Sequence, residues 1–375
     1  MNAELNDPTD NPQDQRQHLA ALTSVRFIAA FLVLMSHGLS VFPFLPKLTV
    51  YSYAVPFFFV LSGFILMHTY GSGDLNIGRF FRARLARLWP AHVTWLFIGF
   101  FVVGYTIDWP KLILNVMMLH AWSPYRVDFY SYNSVSWSIS TEMALYAAFP
   151  FLAKGFRQNW PFKLALCIVL YQAVYLYALN YPPSKDYRVI QFGSWLYAFP
   201  PSRLHGFCLG MVAFVLWEKW RARYDTLPPL AGEVVGLLVL AGALQFTKIS
   251  WVYSDFRWLI PVIVYTAFAA LLIPIAQGRG PLSRLLAWRP LVYLGEISFA
   301  LYLSHQIILN YFVRSERADP NFWWAQLSDP VKFAIYVAVV IAASAATYHW
   351  VERPAQKLLK TGRIPRYRFA PSARS

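Results

Sequence analysis

The chain has 375 residues, of which 57% are hydrophobic and only 14% are charged, with a formal net charge of +15. A soluble globular domain carries roughly 25% charged residues, so the composition excludes an ordinary soluble domain and predicts an all-α polytopic membrane protein. The excess of lysine and arginine concentrates between alternate pairs of apolar segments, as membrane topology demands, so no nucleic-acid partner is expected.

About ten apolar segments are each long enough, at roughly 20 residues, to cross the hydrocarbon layer. They are predicted at 19–40, 50–70, 91–107, 137–154, 162–180, 203–218, 230–247, 256–276, 291–313 and 331–351. The dense basic clusters fall on one side, which places both termini in the cytoplasm. We predict a polar cytoplasmic tail at 1–18, a membrane domain at 19–358 and a basic cytoplasmic tail at 359–375. The polar start predicts no cleavable signal peptide.

The first predicted span, within SVRFIAAFLVLMSHGLSVF, carries two ionisable side chains, Arg26 and His37. Such groups are costly at membrane depth and indicate a functional site. Eleven helical steps of about 1.5 Å separate them by roughly 16 Å along the axis. Arg26 is therefore expected in the inner half of the membrane and His37 in the outer half.

A basic loop, RFFRARLARLWP, is predicted between the second and third spans. Its Arg79, Arg82 and Arg87 are spaced to share roughly one helical face, with Arg84 to the side. Guanidinium groups present planar forks of donors to phosphate, so one interpretation is a phosphate-ligand site. Topology and attraction to anionic lipids explain the same arginines.

Glu142 lies about five residues into the fourth predicted span, which enters from the outside, so its predicted depth is that of His37. A carboxylate beside a histidine fixes the imidazole tautomer and stabilises the imidazolium. We therefore predict that Glu142 orients His37 for proton transfer. The alternative is structural, with His37 bonded to a backbone carbonyl, Arg26 reaching inner headgroups and Glu142 joining two helices.

The outer segment before the fourth span, WSPYRVDFYSYNSVSW, is rich in aromatic and hydrogen-bonding residues. Aromatic faces suit sugar rings, and Tyr132, Asn133 and Ser136 offer hydrogen bonds, so the segment is a candidate carbohydrate site. An interfacial aromatic belt explains the individual aromatics equally well. Tyr302 and His305, on the ninth span, are expected either to line the same cavity or to be structural.

Six motifs follow one another between about Leu22 and Leu358: LTSVRFIAAFLVLMSHG, VPFFFVLSGFIL, RARLARLWP, SVSWSISTEMALYAAFP, GEISFALYLSHQIIL and HWVERPAQKLL. Together and in this order they resemble the acyltransferase 3 family of integral-membrane acyltransferases. The resemblance implies about ten transmembrane helices in a bacterial cytoplasmic membrane. It also implies transfer of an acyl group, commonly acetyl from acetyl-CoA, to a hydroxyl of an exopolysaccharide, O-antigen or lipid-linked glycan.

By this resemblance His37 is the catalytic histidine, acting as a general base or as a transient acyl carrier, with Arg26 as its partner. The residues implied to meet the donor or to belong to the fourth-span element are Arg82, Arg84, Arg87, Trp137, Ser138 and Glu142. Acyl-CoA is expected as a co-substrate, without a metal site or a permanently bound cofactor. The other expected partners are a carbohydrate acceptor, membrane lipids, and further copies of the chain or glycan-assembly proteins.

Two other functional classes remain open from the sequence. In a transporter or flippase, Arg26, His37 and Glu142 would form a polar relay across the membrane. In a scaffold without activity, the same three groups would be dispensable.

Overall fold

A computed structural model describes residues 12–71, 73, 75–181, 185–186, 188–190, 192–250 and 254–361. The described part of the chain is built from helices, as the sequence predicts. The α-helices, numbered in chain order, are α1 Pro12–Gly38, α2 Ala54–Tyr70, α3 Ile77–Val102, α4 Trp109–Val116, α5 Arg126–Phe129, α6 Trp137–Ala153, α7 Phe156–Ala178, α8 Phe192–Ala198, α9 Leu204–Tyr224, α10 Pro229–Ser250, α11 Ile260–Gln277, α12 Pro281–Leu286, α13 Arg289–Glu296, α14 Ser298–Ala318, α15 Asp329–Thr347 and α16 Arg353–Thr361.

Short helical turns connect several of these helices. They are the 3-10 turns Thr49–Tyr53, His120–Trp122, Pro200–Arg203, Ser254–Leu259 and Trp323–Gln326, and the π-helical turn Tyr348–Glu352. The predicted tails lie largely outside the described residues, at 1–11 and 362–375.

Seven stretches of the described chain are long and apolar enough to cross a membrane. They are Ala20–Gly38, Thr49–Tyr70, Ile77–Val102, Phe156–Ala178, Pro229–Lys248, Arg257–Gln277 and Asp329–Leu359. An eighth arises if α13 and α14, which meet at a bend of 61°, form one broken span. The remaining predicted spans, 137–154 and 203–218, coincide with α6 and α9. α6 has only 17 residues and α9 ends in a charged turn, so the count of ten and the side of the termini stay predictions.

The basic loop predicted between the second and third spans is helical. α3 begins at Ile77, well before the predicted start at residue 91, and so contains all four arginines. Asn76 caps this helix, since its side-chain oxygen accepts a hydrogen bond from the Arg79 amide at 2.9 Å, which satisfies a donor that the first turn leaves unpaired. The arginines therefore have fixed directions around a helix axis.

α1 lies in the middle of the helix bundle, where it packs against α2, α11, α12, α13 and α14. Very close approaches between helices position these elements. A side-chain carbon at Gly210 of α9 would overlap the carbonyl oxygen of Val60 on α2, and one at Gly63 would overlap that of Phe207. Small residues of this kind let two backbones touch. The close contact fixes α2, whose opposite side faces the cavities described next.

Candidate active site

The first cavity, here called the arginine cavity, has a volume of about 270 Å³ and is lined by α1, α2, α3, α6 and α14. Arg26, Arg84 and Arg87 line it together with a single carboxylate, that of Glu142. Three guanidinium groups against one carboxylate leave its wall with an excess of positive charge. Such a wall suits an anionic ligand or the negative end of a polar one.

The arginines of α3 divide differently from the sequence prediction. Arg84 and Arg87, one helical turn apart, line the arginine cavity, and Arg84 also lies over the rings of Tyr70 and Tyr146. Arg82 is exposed, and its Nε contacts the Gly78 carbonyl oxygen at 3.4 Å. The predicted shared face of Arg79, Arg82 and Arg87 is therefore wrong, because Arg82 and Arg87, five residues apart, point about 140° away from each other around the axis of α3.

Glu142 is bonded within the arginine cavity. Its carboxylate accepts a hydrogen bond from Ser62 Oγ at 3.0 Å and another from the Tyr146 hydroxyl. It also interacts electrostatically with Arg26. The Glu142 carboxylate thus counterbalances part of the arginine charge.

The second cavity, here called the histidine cavity, has a volume of about 320 Å³ and contains the His37 side chain at the last turn of α1. Aromatic rings form much of its wall, including Trp137 and Tyr197, whose centroids lie 4.8 Å apart. Arg126 contributes a positive charge and lies 5.4 Å from the centre of the Tyr130 ring. The cavity therefore combines a titratable nitrogen, apolar ring faces and a cation.

His37 pairs with His305 of α14, which is fully buried. His37 Nδ1 lies 3.0 Å from His305 Nε2, and His305 Nδ1 lies 3.2 Å from the Leu301 carbonyl oxygen. A carbonyl only accepts hydrogen bonds, so the proton of neutral His305 belongs on Nδ1 and its Nε2 is an acceptor. His37 then donates from Nδ1, and the ring also bonds to the backbone of Val33 one turn earlier on α1, so Nε2 carries the lone pair of the ring.

This pairing corrects the predicted contact between His37 and Glu142. Their hydrogen-bond partners differ, and the two side chains line different cavities. The sequence analysis assumed that the fourth span begins at the outer surface of the membrane, and it placed Glu142 five residues inward from that point. The first residues of α6, Trp137 and Ser138, are already buried in the protein. Glu142 lies instead beside Arg26, in the arginine cavity.

Tyr302 and Val55 are shared by the two cavities. The Tyr302 hydroxyl donates to the Val135 carbonyl oxygen at 2.8 Å and accepts from Ser138 Oγ at 2.8 Å. Val135 lines the histidine cavity and Ser138 lines the arginine cavity. Tyr302 therefore stands in the wall between them.

Three of the predicted acceptor residues hold the protein together instead. The Tyr132 hydroxyl bonds to the backbone of Asp108, and Asn133 Nδ2 donates to the Leu303 carbonyl oxygen at 2.9 Å. Ser136 Oγ donates to the Asn133 carbonyl oxygen at 2.7 Å. Of the residues predicted for the acceptor or cavity, Trp137, Ser138 and Tyr302 are the ones that line the two cavities.

His120, a buried histidine outside the predicted spans, extends the hydrogen bonds of Ser136 and Asn133. Burial, reinforced by the neighbouring His92 ring, lowers the pKa of His120 to about 3, so this imidazole is neutral. Its Nε2 lies 3.2 Å from Ser136 Oγ. Since Ser136 uses its own proton on Asn133, His120 is the donor in this contact. The network fixes the start of α6 and, through Asn133, the backbone of α14 two residues before His305.

Four polar or aromatic residues of the histidine cavity escaped the sequence analysis: Arg126, Tyr130, Ser134 and Tyr197. The first three lie within the aromatic segment WSPYRVDFYSYNSVSW, where hydrogen-bonding capacity favoured other side chains. Arg203 holds Tyr197, since its Nε donates to the Tyr197 carbonyl oxygen at 2.7 Å. Among the described residues, no cluster of three histidine, cysteine, aspartate or glutamate side chains could hold a metal ion.

A protein-family model described as "Acyltransferase domain" matches residues 19–349 of the chain. "Acyltransferase MdmB" of Streptomyces mycarofaciens is 27% identical over 372 residues, which cover 91% of this chain and 92% of that protein. "Putative peptidoglycan O-acetyltransferase YrhL" of Bacillus subtilis is 27% identical over 80% of this chain and 50% of its own length. "O-acetyltransferase OatA" of Staphylococcus aureus is 23% identical over 80% of this chain and 52% of its own length.

The chain thus spans about half the length of the last two relatives and most of the first. No solved structure matches it.

Proposed function

The chain belongs to the acyltransferase family, is an O-acyltransferase of the membrane, and from that premise we propose that it transfers an acyl group from acyl-CoA to a carbohydrate hydroxyl. Acetyl is the acyl group we favour, because two of its relatives are named O-acetyltransferases. The acceptor is a glycan of the bacterial cell surface or a precursor of one, and the protein acts in the cytoplasmic membrane.

The observation that supports this proposal best is the juxtaposition of the two cavities. One is rich in arginine, the other contains a histidine whose Nε2 carries the lone pair of the ring, and a single tyrosine stands between them. A transferase with two substrates needs separate sites for donor and acceptor that meet at the reacting atoms. In a polar relay for transport, the histidine and the carboxylate would be expected to bond to each other.

Acyl-CoA is proposed to bind from the arginine side. Its phosphates would lie at the start of α3, where Arg82 is exposed to solvent. The pantetheine arm would enter the arginine cavity past Arg84 and Arg87 and extend along α1 from Arg26 towards His37. Planar guanidinium groups bind phosphate and carbonyl oxygens through paired donors, so the positive wall would hold the donor along its length.

His37 is proposed to act as the general base. Its Nε2 takes the proton of the acceptor hydroxyl while that oxygen attacks the carbonyl carbon of the thioester. The carbon–sulfur bond then breaks, CoA leaves as the thiolate, and the proton on Nε2 neutralises the thiolate. The ring lies in the last turn of α1, where the helix dipole favours the positive charge that forms on the imidazole.

The same lone pair could attack the thioester directly and give an acyl-histidine. Both routes begin from the tautomer that His305 imposes, so His305 is a positioning residue in either case. The acceptor sugar is proposed to enter the histidine cavity, where Trp137 and Tyr197 offer ring faces to the apolar side of a pyranose.

The experiment supplies the purified protein, in lipid nanodiscs, with radiolabelled acetyl-CoA and a panel of glycan acceptors. We expect label to appear in the glycan with wild-type protein. His37→Ala should reduce this transfer by a factor of about 10² or more, the contribution typical of a positioned base. His68→Ala is the matched control, because His68 lies at the far end of α2 against Phe214 and Trp217.

Loss of transfer in the His37 variant with retention in the His68 variant would support the proposal. If the wild-type protein, reconstituted in sealed vesicles, moved glycan across the membrane with dependence on His37 but without acylation, the transferase role proposed for this site would be abandoned.

A further inference from the structure

We propose that Val55, Phe58 and Tyr302 form an acyl-length selector, which decides how long an acyl group can reach His37. The inference rests on the proposed function, since it assumes that a thioester enters through the arginine cavity. It concerns the side chains that separate the arginine cavity from the histidine cavity.

The hydrogen bonds of Tyr302 make the wall rigid. Its hydroxyl is bonded on one side to Val135 of the histidine cavity and on the other to Ser138 of the arginine cavity. The side chain is buried, and its ring centre lies 5.9 Å from that of His305. Two hydrogen bonds at 2.8 Å therefore prevent the ring from rotating away without breaking both of them.

α2 supplies the other half of the wall. Val55 lines both cavities, as Tyr302 does. Phe58, one turn further along α2, lines the arginine cavity and packs against the Tyr302 ring with a centroid distance of 6.0 Å and an interplanar angle of 64°. The close contact of α2 with α9 through Gly63 and Gly210 keeps this helix from moving back.

The consequence concerns the acyl chain. The acyl group is the leading end of the donor, so it must pass between Val55 and Tyr302 before the thioester carbonyl comes within reach of His37 Nε2. An acetyl group carries one methyl group through this gap, and each further methylene has to pass the same two side chains. One methylene changes selectivity by about 10-fold or more in an apolar pocket. A rigid wall at this point therefore selects short acyl groups.

The experiment measures transfer from acetyl-, propionyl-, butyryl- and hexanoyl-CoA to one acceptor, using full-length protein in nanodiscs. The quantity compared is the ratio of kcat/KM for each longer donor to that for acetyl-CoA, which does not depend on the amount of active protein. Val55→Ala widens the gap, and Tyr302→Phe releases the ring from Val135 and Ser138. We expect the butyryl-to-acetyl ratio to rise about 10-fold or more in Val55→Ala, which removes two methyl groups from the gap, and to rise in Tyr302→Phe, in which the ring can turn aside.

Val60→Ala is the matched control, because Val60 lies on the same helix, is fully buried, touches α9 through its backbone carbonyl and lines neither cavity. Its ratios should equal those of the wild type. The selector is refuted if wild-type protein transfers acyl groups and the Val55 and Tyr302 variants keep its chain-length profile. If wild-type protein transfers no acyl group at all, the proposed function fails instead, so the two failures are distinct.

Discussion

At the scale of single residues, the pairing of His37 with His305 gives to a second histidine the orienting role that the sequence analysis predicted for Glu142. His305 fixes the tautomer of His37, whereas Glu142 sets the charge of the arginine cavity. A group that acts on the reacting histidine should affect the rate constant. A group that acts on the donor cavity should affect the apparent affinity for acyl-CoA.

The first prediction follows from this separation. His305→Phe removes the acceptor for His37 Nδ1–H, and we expect kcat to fall by about 10² while KM for acyl-CoA stays within threefold. Glu142→Gln keeps the hydrogen-bonding shape but removes the negative charge opposite the arginines. We expect KM for the anionic donor to fall roughly threefold, with kcat nearly unchanged. Steady-state kinetics with varied acyl-CoA measures both quantities.

A conservative variant distinguishes positioning from simple packing at His305. His305→Gln retains a side-chain acceptor and should recover at least part of the kcat lost in His305→Phe. Equal losses in the two variants, or a large kcat effect of Glu142→Gln, would contradict the assignment of these roles.

The sequence identified most of these residues without identifying their partners. Arg26, His37, Glu142 and His305 were all selected because ionisable groups are costly in apolar spans. Which of them meet depends on where α6 begins relative to α1, and a hydropathy pattern leaves that boundary uncertain by several residues. One turn of error moves a side chain about 5 Å along the helix, enough to exchange one partner for another.

At the scale of secondary-structure elements, α2 and α9 make the contact most sensitive to side-chain size. Their backbones approach so closely at Gly210 that a single added carbon would overlap the Val60 carbonyl oxygen. Because Val55 and Phe58 belong to the same α2, this contact also holds one wall of the arginine cavity.

The second prediction compares two glycines in helices. Gly210→Ala must push α2 and α9 apart, and we expect a loss of about 1–3 kcal/mol in the free energy of unfolding, as for other overpacked sites. Gly242→Ala is the control, because no atom lies within 4 Å of its added carbon and α10 is exposed there. Alanine favours the helix by up to about 1 kcal/mol, so this variant should be as stable as wild type or more so.

Thermal unfolding of the purified variants in one detergent checks the prediction. If the Gly210→Ala protein melted at the same temperature as the Gly242→Ala protein or at a higher one, α2 and α9 would be able to separate without loss of stability.

The helices themselves were predictable from apolar length, since a helix overlaps each of the ten predicted segments. Their close contacts were not, because GxxxG-like spacing does not specify which helix lies opposite.

At the scale of the whole molecule, the distribution of basic residues predicts which ends of the helices face the cytoplasm. Lys219, Arg221 and Arg223 lie at the end of α9, and the segment between α14 and α15 belongs to the opposite side in the predicted topology. The positive-inside bias provides this orientation, while the helix packing alone is compatible with either.

The third prediction tests that orientation with introduced cysteines. Thr226→Cys, after α9, should be labelled by a membrane-impermeant maleimide only after the cells are permeabilised, whereas Asn321→Cys, after α14, should be labelled in intact spheroplasts. Both positions are exposed, and the native Cys167 and Cys208 are buried, so background labelling should be low. The reverse pattern would invert the topology, and with it the side from which acyl-CoA is proposed to enter.

The uninterrupted course of α1 has one more consequence. Arg26 and His37 are fixed to the same rod, so the roughly 16 Å between their positions along its axis is set by backbone hydrogen bonds and not by the surrounding helices. In the proposed complex, α1 would set the distance between the arginine that holds the donor and the histidine that reacts with it. A thioester on an arm of matching length would bring its carbonyl to His37 while the far end of the arm is still held at Arg26. A thioester on a shorter carrier can occupy only one of these two positions at a time.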